Sequence, residues 1–378
     1  LTFMFLLTIA ITALSLGIGI AFCRLFAIVP SLVPTQTQLD PAPIIDVIVP
    51  ARNEQLDIER SLRSLLAQQN VDIHITVVND HSSDATASIV DAIAAGDARV
   101  TVIHNPPLAE GWFGKANAMH QAYLCTTRPI VVFADADVIH SPSCFATAYD
   151  HMQQQRSDFL SLFPRVELVS FWENVLVPHL MVFGLVSYLN RKLHDPKCAN
   201  AVAAGAFMMT RRDLLSQIDG LSTVRSEALD DVMLARNIKA KGFVTQIVFA
   251  PQLLRVRLFK SNHDAYWGFT KNILGAVKHV ALAFPAMFVP VLVYGIPMTA
   301  MVMGMHHSDV TLVVAGVIAY ASQATVLLLA RRLADIRFLK AIAFPLAAFP
   351  IACCLARAIY HHLTSGGVAW RGRVVRKA

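Results

Sequence analysis

Two short acidic motifs carry most of the chemistry this chain offers. Asp135-Ala136-Asp137 follows the apolar run Ile130–Phe133, and Glu227-Ala228-Leu229-Asp230-Asp231 opens the helix-spaced stretch Val232–Lys241. In extended chain, residues i and i+2 point to the same side, so Asp135 and Asp137 are expected to present two carboxylates to one small volume. Like charges that close are costly unless a cation lies between them, and such a pair suits a hard metal bridging a diphosphate. The second acidic cluster also has a plainer reading, because carboxylates at a helix N-terminus are stabilised by its dipole. Two more polar clusters end apolar runs. Pro50-Ala51-Arg52-Asn53-Glu54 follows Ile44–Val49, and Asn79-Asp80-His81-Ser82-Ser83-Asp84 follows Ile73–Val78.

The elements that must position these residues alternate. Strands are expected at Ile44–Val49, Ile73–Val78, Val100–Ile103 and Ile130–Phe133, with helices at Leu56–Gln68, Asp84–Ala95 and Lys115–Leu124 between them. Short apolar strands separated by helices predict an α/β domain whose mostly parallel sheet is covered on both faces. Ligands of such sheets bind beyond the carboxyl ends of the strands, where three of the polar clusters fall. No G-x-G-x-x-G follows the first strand, which excludes a dinucleotide dehydrogenase. The six cysteines form no C-x-x-C pair and read as small buried residues of a reducing compartment.

The chain is poor in charge, at 15% of 378 residues, against roughly 25% in soluble globular proteins. Leu1–Cys23, His279–Ser308 and Val310–Ala330 contain no Asp, Glu, Lys or Arg, and each can cross a hydrocarbon core of roughly 20 helical residues. Leu1–Cys23 lacks a basic start and exceeds a signal-peptide core, so it is expected to be an uncleaved anchor. Ala341–Ala356 is shorter and contains Pro345 and Pro350, which favours a re-entrant or interfacial segment. The expected order is an anchor at 1–28, an α/β domain at 42–258 and an interfacial segment at 259–278. A transmembrane region at 279–360 and a basic tail at 361–378 follow. A net charge of +6 with no aromatic-interleaved basic stripe suits anionic lipid and excludes nucleic acid as a partner.

As an ordered set, these motifs resemble family 2 glycosyltransferases, whose signature is a strand, P-x-x-N-E, then D-D-x-S-x-D. Asp135–Asp137 falls where that family keeps its metal-binding D-x-D, and Leu229-Asp230-Asp231-Val232-Met233-Leu234 is similar to its E-D-x-x-L motif. Gly111-Trp112-Phe113-Gly114-Lys115, Ser170-Phe171-Trp172-Glu173, Ala204-Gly205 with Arg211-Arg212, and Trp370-Arg371-Gly372-Arg373 narrow the likeness. They resemble the membrane subgroup of hopanoid-associated, carotenoid-acid and ceramide glycosyltransferases. The likeness covers roughly residues 42–275.

The resemblance implies a GT-A fold and transfer with inversion, on the cytoplasmic side of a bacterial inner membrane. It implies a nucleotide-sugar donor, with a UDP-sugar favoured, a lipid acceptor, and Mn2+ or Mg2+ as cofactor. Carried over, Asp80 binds the base, and Pro50, Arg52 and Glu54 line the nucleotide pocket. Asp135 holds ribose or metal, Asp137 holds metal, and Asp231 is the general base beside Asp230. Lys115 either reaches a phosphate or, as helix-start lysines usually do, faces water, while Arg255, Arg257 and Lys260 either hold the diphosphate or face lipid headgroups. Trp267 and Lys271 are expected at the acceptor entrance, because Trp and Lys suit the headgroup layer.

Two departures matter. The D-D-G-S turn reads Asn79-Asp80-His81-Ser82. The Q-x-x-R-W of processive polysaccharide synthases reads Gln252-Leu253-Leu254-Arg255-Val256, which favours transfer of a single sugar over polymer synthesis. A non-catalytic scaffold is disfavoured because Asp80, Asp135, Asp137 and Asp231 are all present.

Overall fold

The computed structural model describes residues 1–35, 38–187, 193, 195, 198–227, 229–273, 284–365, 368–370 and 373–375. The chain divides into two compact units. The first comprises Val29–Arg165 and Asn190–Arg257, and the second comprises Leu1–Ile28, Val166–Leu189 and Leu258–Lys377. Residues 166–189 of the expected 42–258 domain thus group with the apolar helices.

The first unit is built on a sheet of order β3-β2-β1-β4-β8-β6-β9. Its strands are β1 (Ile44–Ala51), β2 (Asp72–Asn79), β3 (Val100–His104), β4 (Ile130–Ala134), β6 (Phe159–Phe163), β8 (Phe207–Arg211) and β9 (Thr245–Phe249). Strands β1 to β4 pair in parallel, as the sequence predicts, and β9 runs parallel to β6. Only β8 is reversed, antiparallel to both β4 and β6. Every residue of β4 is buried, which is why its sequence is apolar without alternation.

β1 runs past Pro50, where a strand is expected to stop. The Ala51 carbonyl accepts from Asp80 N, so Ala51 faces β2 and Pro50 faces β4. Strand β4 pairs with β1 only as far as Ile48, so the missing N–H of Pro50 removes no ladder bond. Helices α2 (Ile58–Leu66), α3 (Thr86–Gly96), α4 (Gly114–Cys125), α5 (Cys144–Gln154), α7 (Arg212–Gln217) and α8 (Asp230–Ala240) complete the unit. One core cluster joins Ile48, Val131 and Phe133 of the sheet to Met119 and Tyr123 of α4, Leu214 of α7, and Leu234 and Ile238 of α8. A short strand β5 (Val138–His140) pairs antiparallel with β10 (Leu254–Val256), and β7 (Arg165–Val166) lies where the chain leaves this unit.

The second unit contains α1 (Thr2–Ile28), α6 (Phe171–Ser187), α9 (Asn262–Ile273), α10 (Phe288–His306), α11 (Val310–Leu329), α12 (Phe338–Ile342) and α13 (Ala348–Ser365). Among the described residues, Thr2–Ile28, Phe284–His306, Val310–Arg332 and Phe344–Thr364 are long and apolar enough to cross a membrane. The fourth continues beyond the uncharged run ending at Ala356 and includes Arg357, whose guanidinium lies 3.4 Å from the Trp267 ring centre. Helices α10 and α11 form the expected hairpin, closed by Asp309, whose carboxylate accepts from Leu312 N at 3.0 Å. A Cβ at Gly316 would come within 2.7 Å of Met301 Cγ and 2.8 Å of the Pro297 carbonyl, so only glycine allows this approach. The start of α6 is a capping box. The Glu173 carboxylate accepts from Ser170 N, and Ser170 Oγ accepts from Glu173 N. Ser170 and Glu173 of the Ser-Phe-Trp-Glu motif therefore have a structural task in helix initiation.

Candidate active site

Four segments of the first unit meet around Gly205. Ser161 on β6 receives the Ala204 N–H at 2.8 Å and returns its hydroxyl to the Ala204 carbonyl at 3.1 Å, which pins the loop before β8. The next amide, Gly205 N–H, donates to Asp231 Oδ2 at 2.8 Å. Asp231 Oδ1 accepts from Val232 N at 2.8 Å, in the first turn of α8. Lys115, in the first turn of α4, places Nζ 2.6 Å from Asp135 Oδ1. A Cβ at Gly205 would stand 3.0 Å from Lys115 Nζ, 3.4 Å from Asp135 Oδ2 and 3.5 Å from Asp231 Oδ2. Lys115, Asp135 and Asp231 therefore converge on a space that a glycine keeps open. Lys115 keeps 40% of its side-chain surface exposed while its ammonium stands among carboxylates, as a group on the floor of an open cleft does.

The electrostatics of this cluster are uneven. Burial, followed by the neighbouring Asp230 carboxylate, pushes Asp231 up from the usual carboxylate range to about 6, against the pull of Lys115 and the Val232 amide. Burial also disfavours the Lys115 ammonium, but the combined carboxylates of Asp135, Asp230 and Asp231 outweigh it and hold the group charged. Asp230 Oδ2 is buried and accepts no hydrogen bond. A base near neutrality, a cation held among carboxylates and an unsatisfied acceptor thus lie in one place, and such a perturbed cluster marks a candidate site for proton transfer.

The D-x-D lies differently from the sequence expectation. Strand β4 ends at Ala134, and Asp137 sits on a turn in which Val138 N approaches the Asp135 carbonyl at 3.3 Å. Strand alternation therefore does not orient the two acids, and Asp135 is held instead by its ion pair with Lys115. Strand β5 leaves Asp137 and pairs with β10, with Ile139 opposite Arg255 and Val138 opposite Val256. Asp137 and Arg257 stand one residue beyond the last pair at the same end of this ladder. Arg255 and Arg257 share the face opposite buried Leu254 and Val256, which brings both guanidinium-bearing positions beside the D-x-D. Among the described residues no three His, Cys, Asp or Glu side chains form a metal cage. Two half-buried carboxylates on a turn nonetheless fit a hard cation that arrives with a diphosphate and takes its other oxygens from phosphate and water.

The loops after β1 and β2 are joined by hydrogen bonds. Asn53 N donates to Ser82 Oγ, Ser83 N to Asn53 Oδ1, Glu54 N to Thr86 Oγ1 and Gln55 N to Asp84 Oδ2. Asp84 ends below the ordinary carboxylate range, because bonds from Thr86 and Gln55 outweigh its burial. Arg52 donates to the Asp80 carbonyl at 3.0 Å and stands 3.7 Å from its carboxylate, which also meets the His81 ring at 3.1 Å. Asp80 and Glu54 are buried, and Pro50, next to last in β1, is half-buried. His81 has φ of 56°, the left-handed region that favours the glycine expected at this position. Its amide is held by Asn105 Oδ1 and the Asn79 carbonyl.

Trp267 belongs to the second unit. Its indole N–H donates to His263 Nε2 at 2.8 Å, and its ring packs against Arg357 and His361 of α13. The Lys271 side chain, Lys278 and Ala228 lie outside the described residues. Sequence reasoning did not single out Ser161, although it is the sole polar residue of the Phe159–Phe163 run. It also missed Lys239, a buried lysine of α8 that donates to the Leu193 carbonyl at 2.6 Å and the Asn200 carbonyl at 2.8 Å. Helix α8 thus holds one loop at both ends, through Lys239 and through Asp231, and no local pattern in the sequence signals it.

Residues 46–219 match the family model described as glycosyl transferase family 2. Over this stretch, a little under half of its length, the chain is similar to family 2 glycosyltransferase domains. It is 23% identical over 236 residues to the 4,4'-diaponeurosporenoate glycosyltransferase of Staphylococcus aureus (strain MRSA252), an alignment covering 61% of this chain and 60% of that one. The Staphylococcus haemolyticus protein of the same name is 37% identical over 94 residues, 25% of this chain and 24% of its own. The chain therefore spans no more than 60% of either relative's length. A mannosyltransferase from Pyrobaculum calidifontis, solved with GDP-Man and Mn2+, superposes over 96% of this chain and 99% of its own at a TM-score of 0.56 and 20% identity. This likeness establishes the GT-A fold of the family 2 domain.

Proposed function

We propose that this protein is an inverting glycosyltransferase that moves one sugar from a nucleotide-sugar to a membrane lipid. The observation that carries the proposal is Asp231, held by Gly205 and Val232 yet pushed to about 6, beside the Lys115–Asp135 pair. In this reading Asp231 takes the proton of the acceptor hydroxyl as its oxygen bonds to the anomeric carbon. The bond from that carbon to the diphosphate breaks on the opposite side, and its electron pair leaves with the phosphate. Lys115, Arg255 and Arg257 hold the departing diphosphate, Asp80 the base, and Pro50, Arg52 and Glu54 the walls of the nucleotide pocket. Asp135 and Asp137 hold Mn2+ or Mg2+, which when bound offsets charge on the leaving group. The mannosyltransferase neighbour's Mn2+ supports a divalent ion, and a UDP-sugar is the donor to test first.

The lipid acceptor is supported by the four apolar helices and by relatives named for glycosylation of 4,4'-diaponeurosporenoate, a carotenoid acid. Transfer of one sugar is supported by Val256, which takes the place of the Trp of processive enzymes. Nucleotide-sugars are cytosolic, which puts the 42–258 domain inside the cell, with Arg331, Arg332, Arg337 and Lys340 on that side as the positive-inside rule favours. Trp267 and Lys271 would then meet the headgroup layer where the acceptor arrives. Radiolabelled UDP-sugars and GDP-sugars incubated with the protein and extracted lipids test the proposal. A lipid-soluble labelled product supports it; a large insoluble polymer, or no product with any donor, overturns it.

A further inference from the structure

The second unit holds a small, mostly apolar cavity with a few polar groups on its wall, and the transfer reaction does not use it. His179 of α6 is 1% exposed and Gln323 of α11 is 5% exposed, and both line a cavity of about 40 Å³ together with Ser15 of α1 and Tyr294 of α10. Such a volume is more than one water needs and admits a water or the tip of a small polar group. Two polar atoms on its wall have no hydrogen-bond partner, His179 Nε2 and Gln323 Oε1.

The bonds these side chains do make fix the character of the free atoms. His179 Nδ1 faces the Val175 carbonyl at 2.8 Å, and a carbonyl can only accept, so Nδ1 carries the hydrogen. Burial disfavours the imidazolium form, so the ring stays neutral and Nε2 presents a lone pair. Gln323 Nε2 donates to the Val293 carbonyl at 2.8 Å, which turns Oε1 the other way. Ser15 spends its hydrogen on the Ile11 carbonyl at 2.8 Å and can only accept from the cavity. The wall therefore offers several acceptors, and the donor it does hold, the Tyr294 hydroxyl, bonds neither His179 Nε2 nor Gln323 Oε1. Each buried acceptor left unsatisfied costs about 1–3 kcal/mol. Ionisable side chains inside the helix bundles of membrane proteins are rare and commonly functional.

We propose that this cavity is a binding site for a group that brings two O–H hydrogens, received by His179 Nε2 and Gln323 Oε1. One water supplies them, and so does the diol headgroup of an amphiphile reaching in from the lipid side. The test heats the full chain in an amine-oxide detergent, whose headgroup has no O–H hydrogen, with 1,2-decanediol or with decane. Diol binding raises Tm by about 2 °C or more over decane, and the rise disappears in Gln323→Leu and His179→Leu. A rise that persists in both variants overturns the site. If diol and decane act alike on the wild-type chain, a structure that resolves water decides. One ordered water within hydrogen-bond distance of both atoms assigns the site to water, and a cavity without it overturns the proposal.

Discussion

The backbone N–H of Gly205 donates to Asp231 Oδ2 at 2.8 Å, and it does so from a loop that the buried Ser161 hydroxyl holds in place. Asp231 therefore cannot turn freely, although burial and Asp230 raise its affinity for a proton. A carboxylate at the start of a helix is ordinarily stabilised in its charged form. Here desolvation and a like charge win over the helix and over two backbone amides, leaving a base matched to neutral pH.

Asp231→Asn keeps the shape and removes the proton acceptor. Turnover is expected to fall by ~10²–10⁴ while nucleotide-sugar affinity, measured by calorimetry, stays within about twofold. In the wild-type chain the acid limb of kcat/KM against pH should lie near 6, because Asp231 protonated below that value cannot accept the acceptor's proton. Wild-type turnover in Asp231→Asn with loss in Asp230→Asn reverses the assignment of the two acids.

The same shift has a consequence for stability. Asp231 has a folded pKa of about 6, above its ordinary 3.8, so the folded chain holds this proton more tightly than the unfolded one. That contribution is complete below about pH 4 and is lost as pH rises through about 6. Asp231→Asn, which never ionises, should therefore gain Tm relative to wild type between pH 5 and pH 7, as followed by thermal denaturation in detergent. A difference that does not change across this interval argues against the raised pKa.

Gly205→Ala tests the convergence directly. The new methyl would lie 3.0 Å from Lys115 Nζ, and the lysine can retreat only by lengthening its 2.6 Å contact with Asp135. The cost falls on the site and not on the core, so activity should drop by ~10-fold or more with Tm little changed. Combined with Lys115→Met, the loss should be less than additive, since both substitutions disturb the same ion pair. Lys115→Met alone should also move the acid limb upward, because it removes a cation that lowers the proton affinity of Asp231.

How much of this was legible in the sequence depended on whether the cause was local. The parallel strands β1 to β4 could be read because burial on both faces makes Val47–Val49 and Val131–Phe133 apolar throughout. The reversed strand β8 could not, since Phe-Met-Met-Thr-Arg looks the same in either direction and its neighbours β4 and β6 are distant in sequence. Asp135 and Asp231 were singled out by type and spacing, but their meeting at Gly205 depends on loops with no pattern of their own. The Ser170–Glu173 pair is the converse case: a motif read for family likeness proves to start a helix.

Removal of metal should abolish transfer and spare the fold. EDTA is expected to stop the reaction, with Mn2+ or Mg2+ restoring it, and Asp137→Ala should stay inactive at any metal concentration. The site provides two carboxylates, so metal affinity should be weak alone and rise when nucleotide diphosphate is present, as titration of Mn2+ by paramagnetic resonance can follow. Full activity in chelator removes the ion from the mechanism.

The acceptor's path gives the last prediction. A lipid hydroxyl has to reach Asp231 while its chain stays in hydrocarbon, because withdrawing each buried CH₂ costs about 0.8 kcal/mol. Helix α9 supplies a surface suited to headgroups: Trp267 bears the Arg357 guanidinium 3.4 Å from its ring centre, with Tyr266 5.7 Å from the same group. A cation stacked on aromatic rings favours an anionic headgroup beside it. Trp267→Ala should therefore lower transfer to lipid severalfold while leaving hydrolysis of the donor by water unchanged. Arg357→Gln should lower transfer in vesicles rich in phosphatidylglycerol more than in phosphatidylcholine alone. If transfer and hydrolysis fall together in Trp267→Ala, the residue supports the fold and the acceptor arrives elsewhere.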